Sequence, residues 1–492
     1  MRSLPVLALF GLGCHPWLDV APARRDLLEG ADLLIVAPAE TIDGFDELVD
    51  WKRRRGIATR VEALEDIDAT EAGPDTAARL RARLQRAWAE EGTRWVLLGA
   101  DAPLVPVRMV DAWVDVHFEG TYYEGPVATD LYYADLDGEW DADGDGVWGE
   151  PGDGMDLWPD VAIGRIPARD ADDVRAYTEK LIQYERRPVT DYQQTMMLMG
   201  EWAGEASGVV VYSSVALEEF ILPLIPDEYH VTRMYEDYEH YEGAVPNTAQ
   251  TQRDAFNAGQ HYILDFGHGQ ARALANLGLD DLWALENASR PAFFATTECS
   301  GCDFEDPYYE HAACEAFVLS QGGGVAYLGN THVGIGFPSL TNYFVAFYDA
   351  LFGDDLAGLS LGERVAETQK VYTTPQILAA EGEPDRWSSL VMVLMGDPTL
   401  VPWRFTPVEP EVSDLQWYRW GEGRAGCVTI ERDGVPVEGA TMSWYHPRQL
   451  HLAATTGPAG RACIAVPEGA PDRVKVTITG PDLVPTGWQQ KL

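Results

Sequence analysis

The segment 293–306, FFATTECSGCDFED, sets Cys299 and Cys302 in a C-x-x-C directly after an apolar run. A thiol in that place can be a nucleophile, a zinc ligand or a structural cysteine, and local pattern leaves all three open. One apolar run earlier, HYILDFGHGQ carries His268 between Gly267 and Gly269. Flanking glycines let backbone N–H groups and a substrate come close to the imidazole. A Cys and a His at the carboxyl ends of neighbouring parallel strands can reach each other, and the His then activates the thiol. Zinc has spacing of its own: Cys299-x-x-Cys302 is followed, after a gap of eight, by His311-x-x-Cys314. A thioredoxin-like redox pair fits less well, because that motif opens a helix early in a small domain.

A second kind of chemistry lies at 137–150, DGEWDADGDGVWGE. Asp141, Asp143 and Asp145 alternate with small residues, and Gly146 allows the sharp turn of a calcium loop. The Val147 carbonyl and Glu150 extend the candidate ligand set, with Asp153 as an alternative to Glu150. The twelfth position of an EF-hand would be Gly152, so the loop is calcium-binding without being an EF-hand. Six carboxylates within 14 residues repel one another unless a cation sits among them. Ca2+ in a structural role is the expected cofactor.

The elements that must hold these groups alternate between strand and helix. ADLLIVAP (31–38), RWVLLGA (94–100), DVAIGRI, TMMLMGE, HYILDF, AFFATT, GGVAYLG and LVMVLMG are short continuous apolar runs, as in strands covered on both faces. TAARLRARLQRAWAEEG (76–92) places Leu80, Leu84, Ala87 and Trp88 on one helical face and closes at Gly92. This alternation predicts an α/β fold with a mainly parallel sheet, whose ligands bind beyond the carboxyl ends of strands. Pro402, Pro407 and Pro410 mark a linker, and residues 411–492 read as short alternating strands with an Asp433-Gly434 turn. That region is expected to be a small immunoglobulin-like β-sandwich.

A chain of 492 residues with 46% hydrophobic content is long enough for several packed domains. Its 36 basic and 79 acidic residues give a formal charge of -43, which would repel a phosphate backbone and argues against a nucleic-acid partner. Residues 1–14, MRSLPVLALFGLGC, carry an apolar run too short to span a bilayer but suited to an export signal. Cys14 after Leu12-Gly13 resembles a lipoprotein cleavage site, so the membrane is expected only through an N-terminal lipid anchor. The destination is then the cell surface or outer membrane, or otherwise secretion. Residues 15–30 read as a linker, and about 16 residues before the first strand leave no room there for a large inhibitory prodomain. Export permits disulfides, and Cys427 and Cys463 share the C-terminal region and could pair.

Taken in order, ADLLIVAPAETIDGFDELVDWKRRRGIATRVEAL, RWVLLGADAPLVPVR, TDLYYADLDGEWDADGDGVWGE, LWPDVAIGRIP, FGHGQ, TTECSGCDFED and MGDPTLV resemble the gingipain-type cysteine peptidases, family C25, from about Ala31 to Trp403. The resemblance implies a caspase-like α/β fold in two subdomains, 31–190 with the calcium loop and 191–405. An immunoglobulin-like module follows such domains in that family. It also implies Cys299 as nucleophile, His268 as general base and Asp160 as the carboxylate that orients the His. The N–H groups of Gly269 and Cys299 would form the oxyanion hole. Cys302 stands where the family often has Gly, which leaves it structural, with Cys314 as its disulfide partner. A basic preference at the substrate position does not carry over, because the substrate-facing loops have no match. Asp170, Asp172 and Asp173 read as helix-capping acids.

The reading is an exported, calcium-binding cysteine endopeptidase acting on protein or peptide substrates. The alternatives are a surface transpeptidase of sortase type on the same fold, and an inactive surface binding protein stabilised by calcium and zinc.

Overall fold

The computed structural model describes residues 30–116, 121–150, 152–206, 209–308, 310–353, 356, 358–374 and 383–492. The export-signal segment 1–14 with Cys14, and the 15–30 linker apart from Gly30, lie outside the described residues. The chain divides into two compact units. One is formed by Ala58–Pro407 with the segment ending at Trp51, the other by Val408–Leu492 with Lys52–Ile57.

The larger unit is organised on an 11-stranded sheet. In chain order its strands are β1 (Leu33–Ala37), β2 (Thr59–Ala63), β3 (Trp95–Leu98), β4 (Ala162–Arg165), β5 (Thr195–Gly200), β6 (His230–Tyr235), β7 (Val245–Pro246), β8 (Tyr262–Phe266), β9 (Ala292–Thr296), β10 (Gly324–Asn330) and β11 (Met392–Gly396). In space they run β7-β6-β5-β8-β9-β10-β11-β4-β3-β1-β2. Every residue of β1, β3, β8, β9, β10 and β11 is buried, which is why these runs are apolar without alternation.

All neighbouring pairs are parallel except β10 with β11. The sheet is therefore two parallel halves running in opposite directions. Residues 31–190 supply β1–β4 and residues 191–405 supply β5–β11, so the two expected subdomains share one continuous sheet. Between β11 and β4 the seam is thin, with Met395 opposite Arg165 as its single registered pair.

Helices follow the sequence logic. The helix Thr76–Arg86 starts at Asp75, whose Oδ1 accepts the Ala78 N–H at 2.8 Å, and it buries Leu80 and Leu84. Burying each Leu stabilises by about 1.5–3 kcal/mol. Gly92, at φ 77°, ends the following turn. Ala171–Arg186 is capped by Asp170, which accepts from the N–H groups of Asp172 and Asp173, so these acids serve the helix.

The smaller unit is all-β, as expected. Strands Gln416–Trp420, Gly423–Arg432 and Arg461–Ala465 belong to a five-stranded antiparallel sheet; Thr441–His446, Leu450–Thr455, Arg473–Gly480 and Leu483–Lys491 form a four-stranded one. Both contribute to a core that includes Ile430, Trp444, Ile464 and Val476. The Cys427–Cys463 disulfide joins residues directly opposite on paired strands, so it staples one sheet rather than bridging two.

Candidate active site

His268 and Cys299 are brought together by register. Strands β8 and β9 are parallel neighbours with Asp265 opposite Thr296, and His268 and Cys299 each lie three residues further on. Parallel strands are spaced by about 4.8 Å, so the two side chains leave the same sheet edge at the same level. Cys299 is half-buried and outside any disulfide, with Sγ 3.8 Å from the Gly334 carbonyl oxygen. The next residue, Ser300, has φ 53°, which turns the chain sharply after the thiol. Its N–H donates to the His332 carbonyl at 2.8 Å, and Asn330 Nδ2 donates to the Glu298 carbonyl at 2.8 Å. The loop after β10 thus clamps the cysteine turn from the far side.

The imidazole is set by a carbonyl. His268 Nε2 lies 2.9 Å from the Trp202 carbonyl oxygen, which can only accept, so Nε2 carries the hydrogen and Nδ1 is left to exchange a proton with a thiol. The Trp202 ring lies beside the imidazole, with centroids 6.0 Å apart. Glu201, the first residue past β5, accepts the His268 backbone N–H through Oε2 at 2.9 Å. It is buried, and desolvation raises its pKa. Gly200 pairs with Phe266, so Glu201 sits beside Gly267 at the root of the His turn.

Asp160 does not meet His268. Its Oδ2 accepts the N–H groups of Leu136 and Asp137 at 2.8 and 3.1 Å. It does reach the same sheet edge, because β4 runs against β8. Four strand spacings separate the two strands, however, or roughly 19 Å. The carboxylate beside His268 is Glu201, which sequence order did not single out. Its signal was present all the same: Glu201 directly follows the apolar run TMMLMG, as His268 nearly follows HYILDF.

Gly269 packs where any side chain would collide. A Cβ there would lie 2.5 Å from Glu298 Oε2 and 3.0 Å from the Cys299 carbonyl oxygen. Cys302 and Cys314 form a disulfide, which removes two thiolates from the zinc set and corrects that alternative. His311 stacks edge-on to Trp283 and lies near Glu315.

In the acidic loop one oxygen each of Asp141, Asp143 and Asp145 lies within 4.8 Å of the others, and the same holds for Asp143, Glu150 and Asp153. The Gly146 and Val147 N–H groups donate to Asp141 and Asp145, and Gly144 and Gly146 take φ of 75° and 86°. Asp153 is fixed by the N–H groups of Ala142, Gly149 and Glu150. Desolvation, then Asp145, Asp153 and Asp143, raise the Glu150 pKa. Hard oxygen donors in this arrangement suit a calcium ion.

Comparison with known proteins bears on the family and the fold. A family model described as peptidase family C25 matches residues 26–403. Gingipain R2 of Porphyromonas gingivalis (strain ATCC BAA-308 / W83) is 23% identical over 282 residues, covering 56% of this chain and 33% of that protein. Gingipain R1 of Porphyromonas gingivalis is 24% identical over 278 residues, covering 55% of this chain and 24% of that one. These matched regions span a third or less of the relatives' length. The crystal structure of the Arg-specific cysteine proteinase gingipain R superposes with a TM-score of 0.73 at 19% identity, over 96% of this chain and 99% of that one. The complex of RgpB pro- and mature domains from P. gingivalis gives 0.72 at 18% identity, over 93% and 99%. At such identities the structural likeness establishes the fold.

Proposed function

Since the chain belongs to peptidase family C25, we propose that it is a cysteine endopeptidase with Cys299 as nucleophile and His268 as general base. The observation that supports this reading is the matched register of β8 and β9, since His268 and Cys299 each follow the paired residues Asp265 and Thr296 by three positions. The Cys299 thiol gives its proton to His268 Nδ1, and the thiolate attacks the peptide carbonyl carbon. As the C–N bond breaks, the imidazolium returns that proton to the leaving amine. Water then cleaves the thioester, with His268 again taking a proton. The Gly269 and Cys299 N–H groups stabilise the tetrahedral oxyanion. The positioning carboxylate is Glu201 rather than Asp160, acting through the backbone of His268.

Calcium in the 141–153 loop is a structural partner in this reading, held by Asp141, Asp143, Asp145, the Val147 carbonyl and Glu150 or Asp153. Export is supported by the two disulfides, which persist in oxidising compartments. Among the described residues no helix is long and apolar enough to cross a membrane. Lipidation of Cys14 is the attachment this reading includes.

The test is digestion of a mixed peptide library, with calcium present, by wild type and Cys299→Ala. Cleavage should vanish in the variant. Undiminished cleavage ends the proposal.

A further inference from the structure

Beneath the His268 turn lie two carboxyl groups that no base among the described residues neutralises. Asp265 in β8 and Glu298, two residues past β9, are both 0% exposed. Their carboxyl groups are within hydrogen-bonding range of each other. No N–H or O–H donor reaches either Asp265 oxygen or Glu298 Oε2 with regular geometry among the described residues. The Thr296 hydroxyl is near Asp265 and offsets its burial only partly. The other groups facing the pair are Glu201 from the end of β5, Cys299, and the Tyr327 hydroxyl from β10. None of these is a cation. Two ionised carboxylates cannot share a dry site of this kind, whereas one proton between them makes a charge-assisted hydrogen bond.

Geometry fixes which partner holds the proton. Glu298 Oε1 accepts the Ala275 N–H at 2.6 Å, as an ionised carboxylate does well, and Ala275 itself is held at φ 48°. Asp265 has no such N–H and is the natural donor. Both glycines of the Gly-His-Gly turn rest on these acids. A Cβ on Gly267 would lie 2.7 Å from Asp265 Oδ2 and 2.9 Å from Glu201 Oε2, and one on Gly269 would strike Glu298.

We propose that Asp265 and Glu298 share a single proton, donated by Asp265, and that this pair is a positioning device holding the Gly269 backbone against Cys299. The shared proton stands on the packing alone; its use in positioning rests on the peptidase reading above. Removing the donor leaves Glu298 buried and unpaired, which frees the 269–275 loop and displaces the Gly269 N–H from the developing oxyanion.

Two measurements on the full-length chain separate these parts. Infrared difference spectra of the Cys299→Ala protein need no activity. They should show a protonated-carboxyl stretch at neutral pH that Asp265→Asn removes and that Glu298→Gln shifts, because Asp265 then keeps its proton but loses its charged acceptor. A stretch that survives Asp265→Asn, or one that Glu298→Gln leaves unmoved, overturns the shared proton. In the active protein, Asp265→Ala should lower kcat/KM by about 100-fold, because a buried charge loses its partner. Asp265→Asn, which keeps an N–H donor, should recover about tenfold of that and move the alkaline limb of the pH profile upward. An Asn variant no better than Ala, or one whose profile superimposes on wild type, overturns the positioning role. Cleavage that survives Cys299→Ala would instead sink the peptidase reading and leave the infrared result standing.

Discussion

Two clusters of carboxylates in this molecule face the same repulsion in opposite surroundings. Asp265, Glu298 and Glu201 are packed under the His268 turn, out of water. Asp141, Asp143, Asp145 and Glu150 crowd a loop that is mostly exposed. In the dry cluster, desolvation dominates and raises the pKa of the Asp265–Glu298 pair, so that it retains a proton. In the wet loop water surrounds the acids, backbone N–H groups orient them, and a divalent cation is the available neutraliser. Burial thus sets whether a proton or a metal would be the natural counterweight to an acid cluster. One cluster can then serve catalysis, and the other stability.

That contrast is open to experiment. The largest expected effect is on turnover: His268→Ala should reduce kcat/KM by about 10^4-fold. The same variant should leave the calcium dependence of melting untouched, and a changed calcium response would show that the two regions are not separable. Next, Cys302→Ala with Cys314→Ala opens a loop of sequence separation 12 beside the nucleophile. Chemical denaturation should report a loss of about 3 kcal/mol, by the loop-entropy model. A smaller loss, with full activity, would mean that the disulfide does not brace the dry site.

Calcium comes third. At free calcium near 100 times Kd the loop should contribute about 2.7 kcal/mol, so chelation should lower Tm by several degrees. Asp143→Asn should shrink that difference, since Asp143 belongs to both oxygen clusters. An unchanged Tm on chelation would make the loop merely acidic. The smallest effect is on pH. Burial raises the pKa of the Asp265–Glu298 pair above the ordinary carboxylate range, so the contribution of its shared proton is present at low pH and lost as pH rises through the raised pKa. Tm should therefore decline as pH rises above the ordinary carboxylate range, and Asp265→Asn, which removes the titrating proton, should flatten the decline. Equal slopes in both proteins would place the pH dependence elsewhere, for instance on Glu305 or Glu315, which burial also raises.

Much of the site was legible in the sequence because strand ends announce themselves. HYILDF and AFFATT are continuous apolar runs, and a residue just past such a run emerges at the sheet edge. His268 and Cys299 could be read in this way, and so could Glu201 after TMMLMG. Asp265 and Glu298 carried a signal as well, since an acid inside or just after a fully buried strand needs a partner. Their pairing was not legible, because it depends on β8 and β9 lying side by side. Asp160 shows the converse. The family resemblance implied that it orients the His, but three strands come between its own and that of His268.

By itself the sequence determined the alternation of strand and helix, the β-rich C-terminal unit, the acidic loop, and a thiol and an imidazole placed after apolar runs. Those features are local, set by side-chain periodicity and by glycine and proline. Only the tertiary structure decided which strand ends are neighbours. The antiparallel step from β10 to β11 reverses half the sheet, and the spatial order departs from the chain order. Strand pairing is a long-range choice made by burial of whole faces, and no local pattern encodes it. It selected Glu201 over Asp160 beside the histidine, and turned a C-x-x-C into one thiol at the sheet edge and one half of a disulfide.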